Sequence, residues 1–161
     1  MRECLYCLIY VNHLPIGVNI HDLINELKLL SWDSADILLH YASLLKKNDN
    51  FSSIVKTNNN EDPVTLADLK VNELIIKRID QKFSGIPWEI LSEENVKKSQ
   101  DFSEIKSNFL WVLDPLDGTR DFIQGTHNYA MHLALNHNQK PILGVVLLSL
   151  IHISEPTRLD G

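Results

Sequence analysis

Residues Trp111–Phe122 read WVLDPLDGTRDF. A strand-like apolar run, Phe109–Leu113, meets Asp114, and a second carboxylate follows at Asp117. Acids at i and i+3 cannot share one face of a regular strand, because side chains alternate with period two. They converge only if the chain turns sharply between them. Pro115 and Gly118 are suited to that turn, and Pro115 keeps Asp114 out of the helical region. Taken alone, D-P-x-D-G is equally a bare turn. The partners of the two acids decide between a turn and a site.

Those partners stand upstream. Glu93 and Glu94 follow a second strand candidate, Trp88–Leu91. Open α/β sheets place ligands at the carboxyl ends of adjacent strands. Mg²⁺ takes six oxygen ligands, usually a few carboxylates, a carbonyl and water. Asp114, Asp117, the Leu116 carbonyl and Glu93 are such a set. Gly118 and Thr119 stand where a helix should begin, so their amides form an anion site for phosphate. Asp68 lies three residues after Thr65 in the pattern of a capping box, and can reach the acids from a helix start. Each piece also has a plain reading. Glu93-Glu94 alone is a surface or helix-start pair, and Asp68 alone is a cap. His127, His132 and His137 recur every five residues, which fits neither a strand face nor a helix face, and are read as surface or core residues. Phe122, Tyr129 and Met131 are read as packing.

The remaining pattern predicts an α/β chain. Apolar residues from Leu23 to Leu45 recur at helical spacing, with Ser31, Asp33 and Ser34 expected to dent or divide the helix. Lys46–Asn60 reads as a polar loop with a short strand at Phe51–Val55. A helix follows from Thr65 to about Phe83–Gly85, with Ala67, Val71, Leu74, Ile75 and Ile79 as its buried stripe. Tyr129–Asn136 and Pro141–Leu147 predict two strands joined by a hairpin at HNQK.

The chain has 161 residues, 44% hydrophobic and 22% charged, with a formal net charge of -6. This is the profile of an ordinary globular protein. It argues against nucleic-acid polymers or anionic membranes as main partners, although metal ions can still bring phosphates to an acidic surface. Cys4 and Cys7 form a single C-x-x-C, read as chance spacing, and two cysteines make no disulfide framework, which points to a cytoplasmic setting. The apolar run Cys4–Val11 is too short to span a bilayer and lacks a cleavage signature. Residues 1–13 are therefore expected to be a spurious or disordered extension, with the domain running from 14 to 147. The tail LSLIHISEPTR resembles a translated transposon-end sequencing adapter, so 148–161 are expected to be non-native.

The ordered set DPVTLAD (Asp62–Asp68), LSEEN (Leu91–Asn95) and WVLDPLDGTRDF resembles the inositol monophosphatase-like family of Mg²⁺-dependent, lithium-sensitive phosphatases. The resemblance continues through YAMHLAL and PILGVV. Within that family it is most similar to the bacterial 3'(2'),5'-bisphosphate nucleotidases, which act in sulfur assimilation. The resemblance implies a layered α-β sandwich of the inositol monophosphatase/fructose bisphosphatase type, of which this chain is the N-terminal half. Two helices would pack on a mixed, mostly antiparallel sheet with the acids at one edge. It implies two or three Mg²⁺ ions in the complete protein, a small phosphate ester as substrate, and a homodimer. Residue by residue, Glu93, Asp114 and the Leu116 carbonyl would bind one ion, and Asp114 and Asp117 a second. Glu93 would position the attacking water, Asp68 and Thr119 would polarise it, and Gly118 and Thr119 would bind phosphate. The family's downstream W-D-x-A motif has no counterpart after Leu147, and Trp32-Asp33-Ser34-Ala35 is read as coincidence. The chain by itself is accordingly expected to be inactive. Inositol or another sugar phosphate is the alternative substrate, and a non-catalytic metal- or phosphate-binding module is the alternative class.

Overall fold

The computed structural model describes residues 5–9, 14–47, 51–57, 63–98, 105–126 and 128–149. In chain order the elements are β1 (Leu5–Ile9), α1 (Ile20–Lys46), α2 (Phe51–Ile54), β2 (Val55–Thr57), β3 (Pro63–Thr65) and α3 (Leu66–Lys82). There follow β4 (Trp88–Ser92), α4 (Glu93–Lys98), β5 (Phe109–Asp117), α5 (Thr119–Gln124), β6 (Ala130–His137) and β7 (Lys140–Leu148). Five strands form one sheet in the order β1-β7-β6-β5-β4, and β2 pairs with β3 separately. Among the described residues only the β4–β5 pair is parallel; the other pairs are antiparallel. The sheet is thus mixed and mostly antiparallel, as expected.

α1 and α3 pack against each other, with α3 also on β5. Leu23, Leu27, Leu30, Leu38 and Leu45 line the buried stripe of α1, and Ala67, Val71, Ile75 and Ile79 that of α3. They meet Trp111, Leu113, Leu133, Leu135, Leu143, Val145 and Leu147, the inward residues of β5, β6 and β7. Alternation along each strand sends every second side chain to this core. Leu74 is only partly buried, at the edge of the α3 stripe.

Three local expectations are corrected. α1 runs undivided for 27 residues. Ser31 donates its hydroxyl to the Leu27 carbonyl at 2.8 Å, and Asp33 pairs with Arg78 of α3 at 2.6 Å, so neither interrupts the backbone ladder. That pairing also ties Asp33 to the helix layer, in keeping with the coincidental reading of WDSA. Second, Phe51–Ile54 is a single helical turn rather than a strand, and extended structure begins only at Val55. Ile54 is buried there, and FSSI lacks the alternation a strand needs. Third, Leu5–Ile9, expected to lie outside the domain, pairs antiparallel along β7, from Leu5↔Leu147 to Ile9↔Leu143. An apolar run can satisfy the backbone groups that β7 would otherwise present at an edge. Cys4 and residues 150–161 lie outside the described residues.

The β6–β7 hairpin forms at HNQK. Asn138 and Gln139 both have positive φ, 49° and 65°. That pair of left-handed residues matches the right-handed twist of the flanking strands.

Candidate functional site

β4 and β5 run parallel with Ser92 opposite Leu113. The next residue on each chain is an acid, so the register sets Glu93 beside Asp114. Glu93 opens α4 and is exposed, whereas Glu94 is buried. Ser92 donates a short hydrogen bond to Asn72 of α3, which fixes the end of β4 against the helix layer.

The strand does not end at Leu113, as the sequence suggested; it continues to Asp117. Asp114 pairs with His132 and Asp117 with Ala130, so three steps on β5 match two on β6. One extra residue is therefore inserted, a β-bulge rather than a turn. Its effect is to shift the alternation by one, which returns Asp117 to the face that Asp114 occupies. The bulge is held by an Asx interaction in which the Leu116 amide donates to Asp114 Oδ1 at 3.1 Å. Pro115 and Leu116 are buried in succession, as a bulge permits and a regular half-exposed strand would not.

Gly118 then adopts φ 82°, ψ 37° as the N-cap of α5. A Cβ at this position would lie 2.5 Å from the Asn128 carbonyl oxygen and 3.3 Å from Tyr129 Cα. Both the left-handed backbone and the close approach demand glycine. Thr119 begins α5, and buried Phe122 anchors it edge-on against Tyr129, with ring centroids 4.9 Å apart. Phe122, Tyr129 and Met131 are packing residues, as read from the sequence.

A second acid arrives from α3. Thr65 and Asp68 form a reciprocal capping box. Asp68 Oδ2 accepts from the Thr65 amide at 2.8 Å and the Thr65 hydroxyl at 2.5 Å. This leaves Asp68 Oδ1 for the Thr119 hydroxyl, 3.2 Å away, which also lies 3.0 Å from the Leu116 carbonyl oxygen. The Thr119 hydroxyl therefore shares its one proton between the Leu116 carbonyl and Asp68 Oδ1, which stands 51 residues away in sequence. The Leu116 carbonyl keeps a second lone pair.

The two groups of acids differ electrostatically. Burial raises the Asp68 carboxyl above its ordinary value, against the lowering effect of the Thr65 and Thr119 hydrogen bonds. Asp114 is pushed up to about 7, first by burial, then by the charge of Glu93 and a hydrogen bond to it, with Asp117 adding repulsion. Like charges this close repel one another, and a cation among them would relieve the repulsion.

Asp68, Glu93, Asp114, Leu116, Asp117, Gly118 and Thr119 thus come together at one end of β4 and β5. One residue was missed. His132 lies opposite Asp114, its Nδ1 is 3.9 Å from Asp117 Oδ2, and ligand atoms of Asp114, Asp117 and His132 lie within 4.8 Å of one another. The alternation Met131, Leu133, Leu135 did put His132 on the outward face, but only strand pairing sets it against Asp114. His137 stacks on Phe109 at 4.4 Å, in line with a packing role, and His127 lies outside the described residues. Asp117 and His132 also border a hollow of about 460 Å³, with Thr126, Asn128 and Ser149 among its walls.

The sequence model of the inositol monophosphatase family matches residues 21–151. The 3'(2'),5'-bisphosphate nucleotidase CysQ of Haemophilus influenzae is 32% identical over 125 residues, 77% of this chain and 42% of that protein. The chloroplastic bifunctional phosphatase IMPL2 of Arabidopsis thaliana is 36% identical over 84 residues, 52% of this chain and 23% of its own. Among solved structures, the inositol monophosphatase of Thermotoga maritima superposes with a TM-score of 0.56 at 26% identity, over 79% of this chain and 44% of that one. The extragenic suppressor protein suhB of Bartonella henselae gives a TM-score of 0.61 at 22% identity, over 78% and 44%. The chain spans less than half the length of these proteins.

Proposed function

This chain belongs to the inositol monophosphatase family, and on that premise we propose that it carries the metal-binding wall of a phosphomonoesterase. Its substrates are 3'(2'),5'-bisphosphate nucleotides such as adenosine 3',5'-bisphosphate. The observation that carries the reading is the contact of Glu93 with Asp114 at the ends of two parallel strands, where burial first and the Glu93 charge second push a carboxyl up to about 7. Such crowding is relieved by cations, and the all-oxygen set of Glu93, Asp114, Asp117 and the Leu116 carbonyl suits Mg²⁺. Glu93, Asp114 and Leu116 would hold one ion, and Asp114 with Asp117 a second. Bound there, the ions supply positive charge to the phosphoryl oxygens and lower the pKa of an attacking water.

The chain's own groups handle positioning and the proton. Glu93 orients the water. Asp68 Oδ2 is committed to Thr65, so Asp68 Oδ1 is the acceptor that Thr119 Oγ1 faces. Thr119 takes a proton from the water as it passes its own to Asp68 Oδ1, and the raised affinity of buried Asp68 for protons favours that direction. The amides of Gly118 and Thr119 hold the phosphate. A nucleotide substrate is supported by relatives named as bisphosphate nucleotidases, at 32% identity in Haemophilus influenzae and in Salmonella typhimurium. The likeness to the Thermotoga maritima inositol monophosphatase, 26% identical, favours a second reading in which the ester is a sugar phosphate. A cytoplasmic setting and a homodimer belong to the same proposal.

The test is phosphate release by the full gene product in Mg²⁺, with adenosine 3',5'-bisphosphate and inositol 1-phosphate compared by kcat/KM. The nucleotide should be preferred, and Thr119→Ala should lower kcat about 100-fold with little change in KM. Preference for the inositol ester would move the reading to sugar phosphates. Turnover of neither substrate would leave a binding module and end the proposal.

A further inference from the structure

We infer that His132 is a nitrogen ligand of the cation held by Asp114 and Asp117, and that it biases this position from Mg²⁺ toward first-row transition ions, Mn²⁺ included. The inference rests on the reading above, in which those two aspartates bind a metal. Three features of the fold converge on His132. Antiparallel pairing puts it directly opposite Asp114, where Cβ atoms on one face stand about 4.5–5.5 Å apart. The bulge between Asp114 and Asp117 brings the second carboxylate back to the same face. The His132 ring also borders the open hollow that Asp117 lines, so an ion there keeps positions free for water or substrate.

The distances are compatible with shared coordination. His132 Nδ1 and Asp117 Oδ2 are 3.9 Å apart, too far for a hydrogen bond. Two donors each about 2.1 Å from one ion lie roughly 3.0–4.2 Å apart as the angle between them opens from 90° to 180°. The full set falls within 4.8 Å, and modest side-chain rotation closes that span. Imidazole suits first-row transition ions such as Ni²⁺ and Zn²⁺, and Mn²⁺, the hardest of that series and largely an oxygen binder, still accepts a nitrogen donor more readily than Mg²⁺ does. The outward side chains of His132 and Asp117, 43% and 62% exposed, leave both free to turn toward an ion.

The 161-residue chain can be titrated with MnCl₂ and examined by pulsed electron paramagnetic resonance. The bound Mn²⁺ should show a ¹⁴N coupling that changes to a ¹⁵N pattern when the unmutated chain is grown with ¹⁵N-histidine. His132→Asn should abolish the coupling, weaken Mn²⁺ about tenfold and leave Mg²⁺ affinity nearly unchanged. Mn²⁺ that binds and is lost on Asp114→Asn, but never shows histidine nitrogen, would overturn the role of His132 and leave the aspartate site standing. Coupling that survives in His132→Asn would assign the nitrogen to another histidine and also overturn it. Absence of any Mn²⁺ binding would sink the metal reading itself, and this inference with it.

Discussion

Asp68 and Asp114 are both carboxyls held above their ordinary range, yet they are built in opposite ways. Asp68 sits almost fully buried at the start of α3, with Oδ2 taken by two Thr65 donors and Oδ1 facing Thr119. Its surroundings meet its hydrogen-bonding demand from within the chain. Asp114, at the bulge of β5, is half-buried among other acids, and only the Leu116 amide offsets the repulsion from Glu93 and Asp117. Its demand is for charge, which the neighbouring acids increase. The contrast teaches that folding satisfies one acid from within the chain and leaves the other crowded by like charge. A proton acceptor and a cation ligand need those two different settings.

The largest expected effect falls on the crowded side. In the full gene product, Asp114→Asn should lower kcat by about 1,000-fold or more, because it removes a group shared by both proposed ions; steady-state phosphate release measures it. Next comes the hinge between the two acids. Gly118→Ala should destabilise the chain by about 2–4 kcal/mol, since it combines a left-handed backbone with a clash against the Asn128 carbonyl. Urea unfolding would register it, and a loss below about 0.5 kcal/mol would show that the α5 junction relaxes freely.

A smaller pair of effects separates the acids by sign. Asp68→Ala should cost about 1–3 kcal/mol by orphaning the Thr65 amide. Asp114→Asn should instead raise the melting temperature in EDTA at pH 8, and remove the stabilisation that Mg²⁺ gives. Equal destabilisation by both substitutions would erase the contrast. The last effect is a slope with pH. Asp114 binds its proton more tightly folded than unfolded, from an ordinary 3.8 to about 7. Its contribution to stability is therefore full below about pH 4 and lost as pH rises toward 7. Thermal melts in EDTA between pH 4 and 8 should fall more steeply for the unmutated chain than for Asp114→Asn.

Much of this was legible before any coordinates. Thr65 and Asp68 announced a capping box, and the box is there. The stripe Ala67, Val71, Ile75, Ile79 named the buried face of α3, and HNQK named the hairpin. These features depend on neighbours within a few residues, where spacing alone decides which groups can meet. The motifs around Glu93, Asp114 and Asp117 also pointed to one site, because each combines acids with a strand end. The bulge was less legible. D-P-L-D supports a turn or a bulge equally well, and the choice depends on whether β6 continues to pair beyond Asp114. His132 was hidden for the same reason, since its spacing from the other histidines carries no information about what lies across the strand.

The sequence by itself determined the buried faces of the two long helices, most of the strand candidates and the chemical character of the acids, because periodicity and local hydrogen bonding are short-range properties. Only the tertiary structure decided the parallel register that sets Glu93 beside Asp114. It alone brought Asp68 to Thr119 across 51 residues, and His132 to Asp117 across a strand pair. Those contacts depend on how strands pair and helices pack, and many pairings of the same segments would satisfy the local rules equally well.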